Sequence, residues 1–310
     1  MSNTPKFTRR AAIASAAALP IAAVSANVSR AAAPMLGTSI TPFNRVKVGT
    51  FELTTLLAGT AARPNPQEMF GLNVDDQAFK NASEAANIPS DVVQFFVTPT
   101  IVNTGAALVL FDTGFSAAGT NAAITAAGYT PDQVDVVVIS HMHPDHIGGM
   151  TQEDGSLTYP NARYVTGRVE YDAWAAQGND TFKAKIQPFA DQFTFVEAGG
   201  AVASGLTAIA AFGHTPGHMN YMVESDGTQI YLGVDFANHY IWSLANPEWH
   251  FGFDMDKTAA VATRKQILDM LSADKVAFVG YHMPWPGIGY VGKTSDGGYG
   301  YEPHSYQLML

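Results

Sequence analysis

Apolar positions along this chain follow two rhythms that alternate from about residue 46 onward. The stretches 46–57 (VKVGTFELTTLL) and 92–105 (VVQFFVTPTIVNTG) are rich in β-branched and aromatic residues and read as strands. Residues 107–114 (ALVLFDTG) read as a buried strand that stops at a glycine turn. The continuous apolar run 134–140 (VDVVVIS) predicts a strand covered on both faces. Further strands are expected within 193–199, 206–214, 219–236 and 275–282. Between them, 116–127, 167–177, 180–190 and 257–272 carry helical patterns, and Thr130-Pro131-Asp132 opens a segment by its turn chemistry. Strands in two runs, each partnered by helices, predict one α/β domain over residues 34–310, built as a two-sheet sandwich. The Pro-, Asn- and Asp-containing stretch 61–90, with Met69-Phe70, is expected to be a mobile loop covering a pocket.

The first 33 residues read differently. Thr8-Arg9-Arg10 precedes the alanine-rich run AAIASAAALPIAAVSA, with no acidic residue in the first 50 positions. A charged start, a mildly apolar middle and a small-residue end predict an export signal, cut after Ala26 or Ala33. The paired arginines resemble the twin-arginine type, which implies a periplasmic or secreted protein. The apolar run is shorter than the roughly 20 residues that span a bilayer, so no stable membrane anchor is expected.

Composition excludes several classes. The 310-residue chain is 47% hydrophobic and 14% charged, enough apolar material for a packed core and unlike a disordered chain. Its net charge of −10 disfavours a nucleic-acid partner. With no cysteine, disulfides, thiolate metal sites and cysteine nucleophiles are all excluded. A small-molecule substrate is the expected partner, and both monomer and homodimer stay open.

The chemistry concentrates after the VDVVVIS strand, in His141-Met142-His143-Pro144-Asp145-His146. Imidazole and carboxylate at this density suit Zn²⁺ and related divalent ions. His214, Asp235 and His282 each end a later predicted strand, so they can converge on the same sheet edge. Five histidines and two aspartates fit two metals about 3.5–4 Å apart, with Asp235 as the natural bridge.

HMHPDH, GHTPGH, the VDF aspartate and GYH, in that order and with Asp112-Thr113-Gly114 upstream, resemble the dinuclear HxHxDH branch of the metallo-β-lactamase superfamily. The resemblance implies an αββα sandwich, two mixed sheets flanked by helices. It implies a first metal on His141, His143 and His214, a second on Asp145, His146 and His282, and Asp235 shared. His218 would orient the GHTPGH loop, and Asp112 would hold a ligand histidine by its other ring nitrogen. His239, His250 and His304 match nothing in the pattern. The segment from His282 to Gly289 and the aromatic ending GYGYEPHSYQ resemble the exported, methyl parathion hydrolase-like dizinc hydrolases.

The expected reaction is attack of a metal-bridging hydroxide on an ester-type bond, in a phosphotriester, lactone or aryl ester, with Asp145 and Asp235 in the catalytic roles. Trp174, Met69, Phe70, Asn238 and Trp242, with Trp249 and Phe251, are the candidate pocket residues. Acyl-homoserine lactonases of this superfamily usually carry a tyrosine three residues after the bridging aspartate, where this chain has Asn238. An acyl-homoserine lactonase, a β-lactamase, a glyoxalase II-like thioesterase, a mononuclear iron dioxygenase and a metal-stabilised binding protein are the competing readings.

Overall fold

The computed structural model describes residues 33–295 and 297–309. The expected export signal lies, but for its last residue, outside them, and residues 33–40 carry no helix or strand. The described residues from Thr41 onward form one compact unit. No helix among the described residues is long and apolar enough to cross a membrane.

The run 46–57 is not one strand but most of a hairpin, β1 (Phe43–Val48) and β2 (Phe51–Leu56), turning where Gly49 takes a φ of 59°. Gly49 is also packed so tightly that a Cβ there would lie 2.2 Å from the Ser225 carbonyl oxygen. The next region departs further from expectation. Residues 61–90 form no mobile loop: they hold most of β3 (Gly59–Pro64) and α1 (Asp76–Ala85). Asp75 caps α1 by accepting the Ala78 N–H at 2.8 Å, and buried Phe79 anchors the helix by stacking on Trp242 at 4.8 Å. The run 92–105 breaks at Thr98-Pro99 into β4 (Val92–Val97) and β5 (Thr100–Asn103), because a proline cannot donate to a ladder. β4 pairs with β3 as a separate two-stranded ribbon, while β5 joins the first large sheet.

That sheet is completed by β6 (Leu108–Phe111), α2 (Ala117–Ala126), β7 (Val136–Ile139), α3 (Pro144–Ile147), β8 (Arg163–Gly167), α4 (Arg168–Gln177), α5 (Asp180–Lys185) and β9 (Phe193–Val196). Its seven strands run β1-β2-β5-β6-β7-β8-β9, with β6 to β9 parallel. The second sheet takes β10 (Ala201–Ala203), β11 (Leu206–Ala210), β12 (Met219–Ser225), β13 (Thr228–Val234), β14 (Ala277–Gly280), β15 (Ile288–Lys293) and β16 (Tyr299–Pro303) in chain order. Only β13 and β14 pair in parallel there, and the crossover between them is α6 (Lys257–Asp274). The β15–β16 hairpin falls in the aromatic tail, where the sequence pattern predicted no strand.

Strand β7 shows why four layers form. Val136 and Val138 enter the core between the sheets, with Tyr221 and Val223 opposite; Val137 and Ile139 face the helical layer with Ile124. Each such side chain, fully buried, contributes about 1.5–3 kcal/mol. A third apolar cluster, with Leu268 and Leu271 of α6 and Phe278 of β14, covers the outer face of the second sheet. The result is the expected αββα sandwich, in which the ligand-bearing strand ends share one edge.

Candidate metal centre

The parallel strands β6 and β7 both end at this edge, delivering Asp112 and then the His141–His146 segment, which closes into α3. β11 and β13 lead to His214 and Asp235, and β14 leads to His282. The turn out of β13 is strained: Val234, directly before Asp235, sits at φ 47°, an outlier for a β-branched residue. Such backbone costs about 1–3 kcal/mol and persists where the surroundings over-determine it.

All seven predicted ligand residues come together. His141, His143 and His214 form one cluster, His141, His146 and Asp235 a second, and Asp145, His146 and His282 a third, each with its ligand atoms within 4.8 Å. His143 Nδ1 lies 3.1 Å from His141 Nε2 and 2.9 Å from His214 Nε2. Asp235 Oδ2 faces His214 Nε2 at 3.3 Å and His282 Nε2 at 3.4 Å, while its Oδ1 faces His146 Nε2 at 3.4 Å. Asp145 Oδ2 lies 3.3 Å from His282 Nε2. Asp235 thus touches both sets.

The rings are aimed from behind. Asp112 Oδ2 accepts His146 Nδ1–H at 2.9 Å, Asp254 Oδ1 accepts His214 Nδ1–H at 2.8 Å, and the Phe96 carbonyl accepts His282 Nδ1–H at 2.7 Å. The Ser140 hydroxyl donates to Asp112 Oδ2, which leaves its lone pairs to accept His141 Nδ1–H at 3.0 Å. In neutral rings these bonds leave the Nε2 lone pair pointing inward. His143 alone turns Nδ1 to the cluster. His218 holds no ligand position: its Nδ1–H donates to the Ala211 carbonyl at 3.0 Å, and its Nε2 accepts the Asp235 N–H at 3.4 Å. These two bonds tie it to Ala211 and to the backbone of Asp235.

Buried without a cation, this arrangement is electrostatically costly. His146 Nε2 and Asp235 Oδ1 are buried and, beyond facing each other at 3.4 Å, have no hydrogen-bond partner among the described residues. Burial depresses the His143 imidazolium, and neighbouring His214 adds to it, so its pKa falls to about 3. Burial opposes charge on His282 too, but Asp235 and Asp145 outweigh it and raise its pKa to about 10. His214, held by Asp235 and Asp254 against the same burial, rises to about 9. The Asp235 carboxyl is pushed well below its ordinary value, the charge of His282 and His146 outweighing burial. Ligands about 2.0–2.2 Å from a tetrahedral ion lie roughly 3.3–3.6 Å apart. The 3.3–3.4 Å spacings around Asp235 match that geometry, and the two orphaned atoms face the cluster. The residues fit a dinuclear metal site.

Above it lies a cavity of about 210 Å³, floored by His143, Asp145, His214, Asp235 and His282. Its walls are Ala61 and Arg63 of β3, Phe95 of β4, Phe115, Phe251 and Phe253, with Met69, Pro144 and Asn238. Of the predicted pocket residues, Met69, Asn238 and Phe251 lie on this wall. Asn238 Nδ2–H donates to Asp235 Oδ2 at 2.9 Å. Trp174, Phe70, Trp242 and Trp249 do not line it. Trp174 sits edge-on behind His143 at 5.6 Å in the helical layer, and Phe70 is a buried support stacked on Phe251 at 4.6 Å. Trp242 is buried with its Nε1–H on Ser83 Oγ, and Trp249 packs on Phe79. Periodicity told these aromatics apart from polar residues but not from each other.

The sequence pattern also missed three supports. Glu170 of α4, fully buried, accepts Met142 N–H with one oxygen and both Thr215 Oγ1–H and Gly217 N–H with the other. It thereby joins the HMHPDH and GHTPGH segments. Gly217 permits this approach, since a Cβ there would lie 2.1 Å from the Glu170 nitrogen. Tyr281 stacks on His146 at 4.0 Å and donates its hydroxyl proton to the Asp145 carbonyl. Asp254 is the third, and Arg264 grips its other oxygen.

The family model for the metallo-beta-lactamase superfamily matches residues 92–282, from the start of β4 to the last metal-cluster histidine. The chain belongs to this superfamily. Among superfamily members with curated functions, an N-acyl homoserine lactonase of Bacillus sp is 27% identical over 156 residues, 50% of this chain and 58% of that protein. The lactonase AttM of Agrobacterium fabrum is 30% identical over 129 residues, 37% of this chain and 45% of its own length. The chain thus spans little more than half the length of the first relative and less than half that of the second. Solved structures match more fully. The hydrolase AbOPH of the beta lactamase superfamily is 25% identical with a TM-score of 0.79, covering 87% of this chain and all of that one. AidC, a dizinc quorum-quenching lactonase, shares the fold at 23% identity and a TM-score of 0.78, over 86% of this chain and 98% of its own.

Proposed function

We propose that this protein is a zinc-dependent hydrolase that cleaves ester-type bonds of small, largely apolar molecules, lactones and aryl esters foremost. One observation carries the reading: the Asp235 carboxylate lies between two clusters of metal-ligand side chains at the floor of an aromatic-walled cavity. The lactonase relatives support the lactone half of this reading, and the apolar wall suits uncharged substrates.

His141, His143 and His214 would hold one ion and Asp145, His146 and His282 the other, with Asp235 shared. When bound, such a pair supplies an acidified water as nucleophile and polarises the carbonyl or phosphoryl oxygen. The chain's own residues do the rest. Asp112, Ser140, Asp254 and the Phe96 carbonyl hold the rings so that Nε2 faces inward. Phe95, Phe251 and Phe253 exclude water around the scissile bond. Asp145, whose side chain keeps 20% exposure at the cavity floor, is placed to take up the proton that the attacking water gives up and to return it to a departing alkoxide. Asn238 fixes Asp235 Oδ2 by donating to it and offers no phenolic proton. This favours leaving groups stable as anions, hence aryl esters and aryl phosphotriesters beside lactones. Residues 1–33 would export the protein to the periplasm by a twin-arginine-type signal.

The test is metal content and turnover together. Purified protein should carry two zinc ions per chain and hydrolyse at least one of p-nitrophenyl acetate, δ-valerolactone and paraoxon. Two metals with none of the three cleaved would leave a metal-stabilised binding protein. One iron with oxygen uptake would leave a dioxygenase.

A further inference from the structure

The β3–β4 ribbon has two faces, and each borders a different cavity. Alternation sends Ala61 and Arg63 of β3 and Phe95 of β4 to the catalytic cavity. The intervening Ala62 of β3, with Gln94 and Phe96 of β4, lines a second cavity of about 330 Å³ on the opposite face. The rest of this second wall is chiefly apolar: Ile88, Pro89, Val93, Tyr240 and Trp242. His282 borders both spaces, its ring lying edge-on to Phe95 at 5.4 Å and bonded to the Phe96 carbonyl.

One polar group in that wall is fixed and has a hydrogen to offer. His239 is 8% exposed and stacks on Trp242 at 4.0 Å. Its Nδ1 accepts the backbone N–H groups of Ile241 and Trp242, both at 3.2 Å. A nitrogen that accepts twice carries no proton, so the ring proton resides on Nε2. Among the described residues Nε2 has no hydrogen-bond partner, and its ring lines the cavity. The chamber therefore combines apolar walls, a stacked indole and a buried imidazole donor, the usual make-up of a small-molecule site.

We infer that the second cavity is an accessory binding site for a neutral, mainly apolar carbonyl compound, whose oxygen accepts the His239 Nε2–H. The ribbon stands between this site and the catalytic cavity, and the two meet at His282, which borders both. Nothing in this assignment depends on hydrolysis.

Acetophenone is a suitable probe because it has the carbonyl, the aromatic body and no ester to cleave. Calorimetric titration of the metal-loaded protein should show binding. Ala62→Trp fills the second cavity from the ribbon, whereas Ala61→Trp fills the catalytic one from the adjacent position. Expected is at least tenfold weaker binding in Ala62→Trp, with turnover of p-nitrophenyl acetate unchanged, and a retained binding event in Ala61→Trp. His239→Asn keeps an acceptor for the backbone N–H groups but withdraws the Nε2 donor, and should weaken binding about tenfold while the variant remains folded, metal-loaded and active on p-nitrophenyl acetate. Binding that survives Ala62→Trp but vanishes in Ala61→Trp would overturn the proposal, since the catalytic cavity alone would then take the ligand. Absence of binding to the wild type would overturn it too.

Discussion

Asp254 holds His214 from behind: its Oδ1 accepts the ring Nδ1–H at 2.8 Å, and its Oδ2 accepts the Arg264 guanidinium at 2.9 Å. Arg264 is fully buried and also donates to the carbonyls of Phe236, Pro247 and Trp249. The segment following Asp235 is thus tied to α6 by the same side chain that steadies a ligand histidine. Asp254→Asn should cost about 10–100-fold in metal affinity at the first site, the usual penalty for losing such a partner. Metal analysis after graded chelation checks this. A variant that retains both ions as tightly as wild type would remove Asp254 from the site's support.

Glu170 is the strap between the two histidine motifs. In Glu170→Gln one accepting oxygen becomes an NH2 group that faces a backbone or hydroxyl donor. One unmet buried donor costs about 1–3 kcal/mol. Thermal unfolding should show that loss of stability, with reduced metal content at His141, His143 and His214. Undiminished stability with full metal would show the carboxylate to be dispensable.

Asp235 and His218 touch each other, yet their removal should differ in kind. Asp235→Ala withdraws the carboxylate that faces His214, His282 and His146, so metal content and turnover should both fall to background. His218→Ala removes a bond to the Ala211 carbonyl and leaves a hole in a fully buried place, so expression and melting temperature should drop more than turnover per metal-loaded molecule. Wild-type rates in Asp235→Ala would contradict the bridging role.

The metal-free protein should lose stability in alkali. Its His214 and His282 have pKa values of about 9 and about 10, above the ordinary 6.5 of an unfolded chain. Groups raised in the folded state contribute stability fully below pH 6.5, and that contribution disappears as pH climbs through 9 to 10. Metal-loaded protein needs these rings neutral and should not follow the same curve. Zinc added to metal-free protein at pH 7 should release protons, and its apparent affinity should tighten from pH 6 to pH 8. Proton release measured in weak buffer gives the check, and uptake without release would mean the rings were already neutral.

What the sequence revealed, and what it withheld, follows from pattern. The seven ligand residues were legible because each sits at the end of an apolar run, and strand ends in a sandwich share an edge. The central strands of both sheets were legible for the same reason, down to the two-faced burial of β7, whereas β10, β15 and β16 were not. The 61–90 segment was misread because its Pro, Asn and Asp residues are turn formers, while Phe79 and Phe70 act through contacts with Trp242 and Phe251 far along the chain. Trp174 was misplaced because helical spacing says that a side chain is buried, not which space it borders. Glu170 and Arg264 left a fainter signal. Glu170 shares the buried face of α4 with Trp174, and Arg264 lies among Ala260, Ile267, Leu268 and Leu271 on the apolar stripe of α6. A charge on such a stripe needs partners, and here those partners brace the metal cluster or the loop beside it.

The β3–β4 ribbon belongs to neither large sheet, and this separates selectivity from scaffold. Exchanges at Ala61, Arg63 or Phe95 can reshape what enters the catalytic chamber while the strand termini that carry the imidazoles keep their register. A lineage carrying this ribbon can therefore wander among substrates by editing a single short wall.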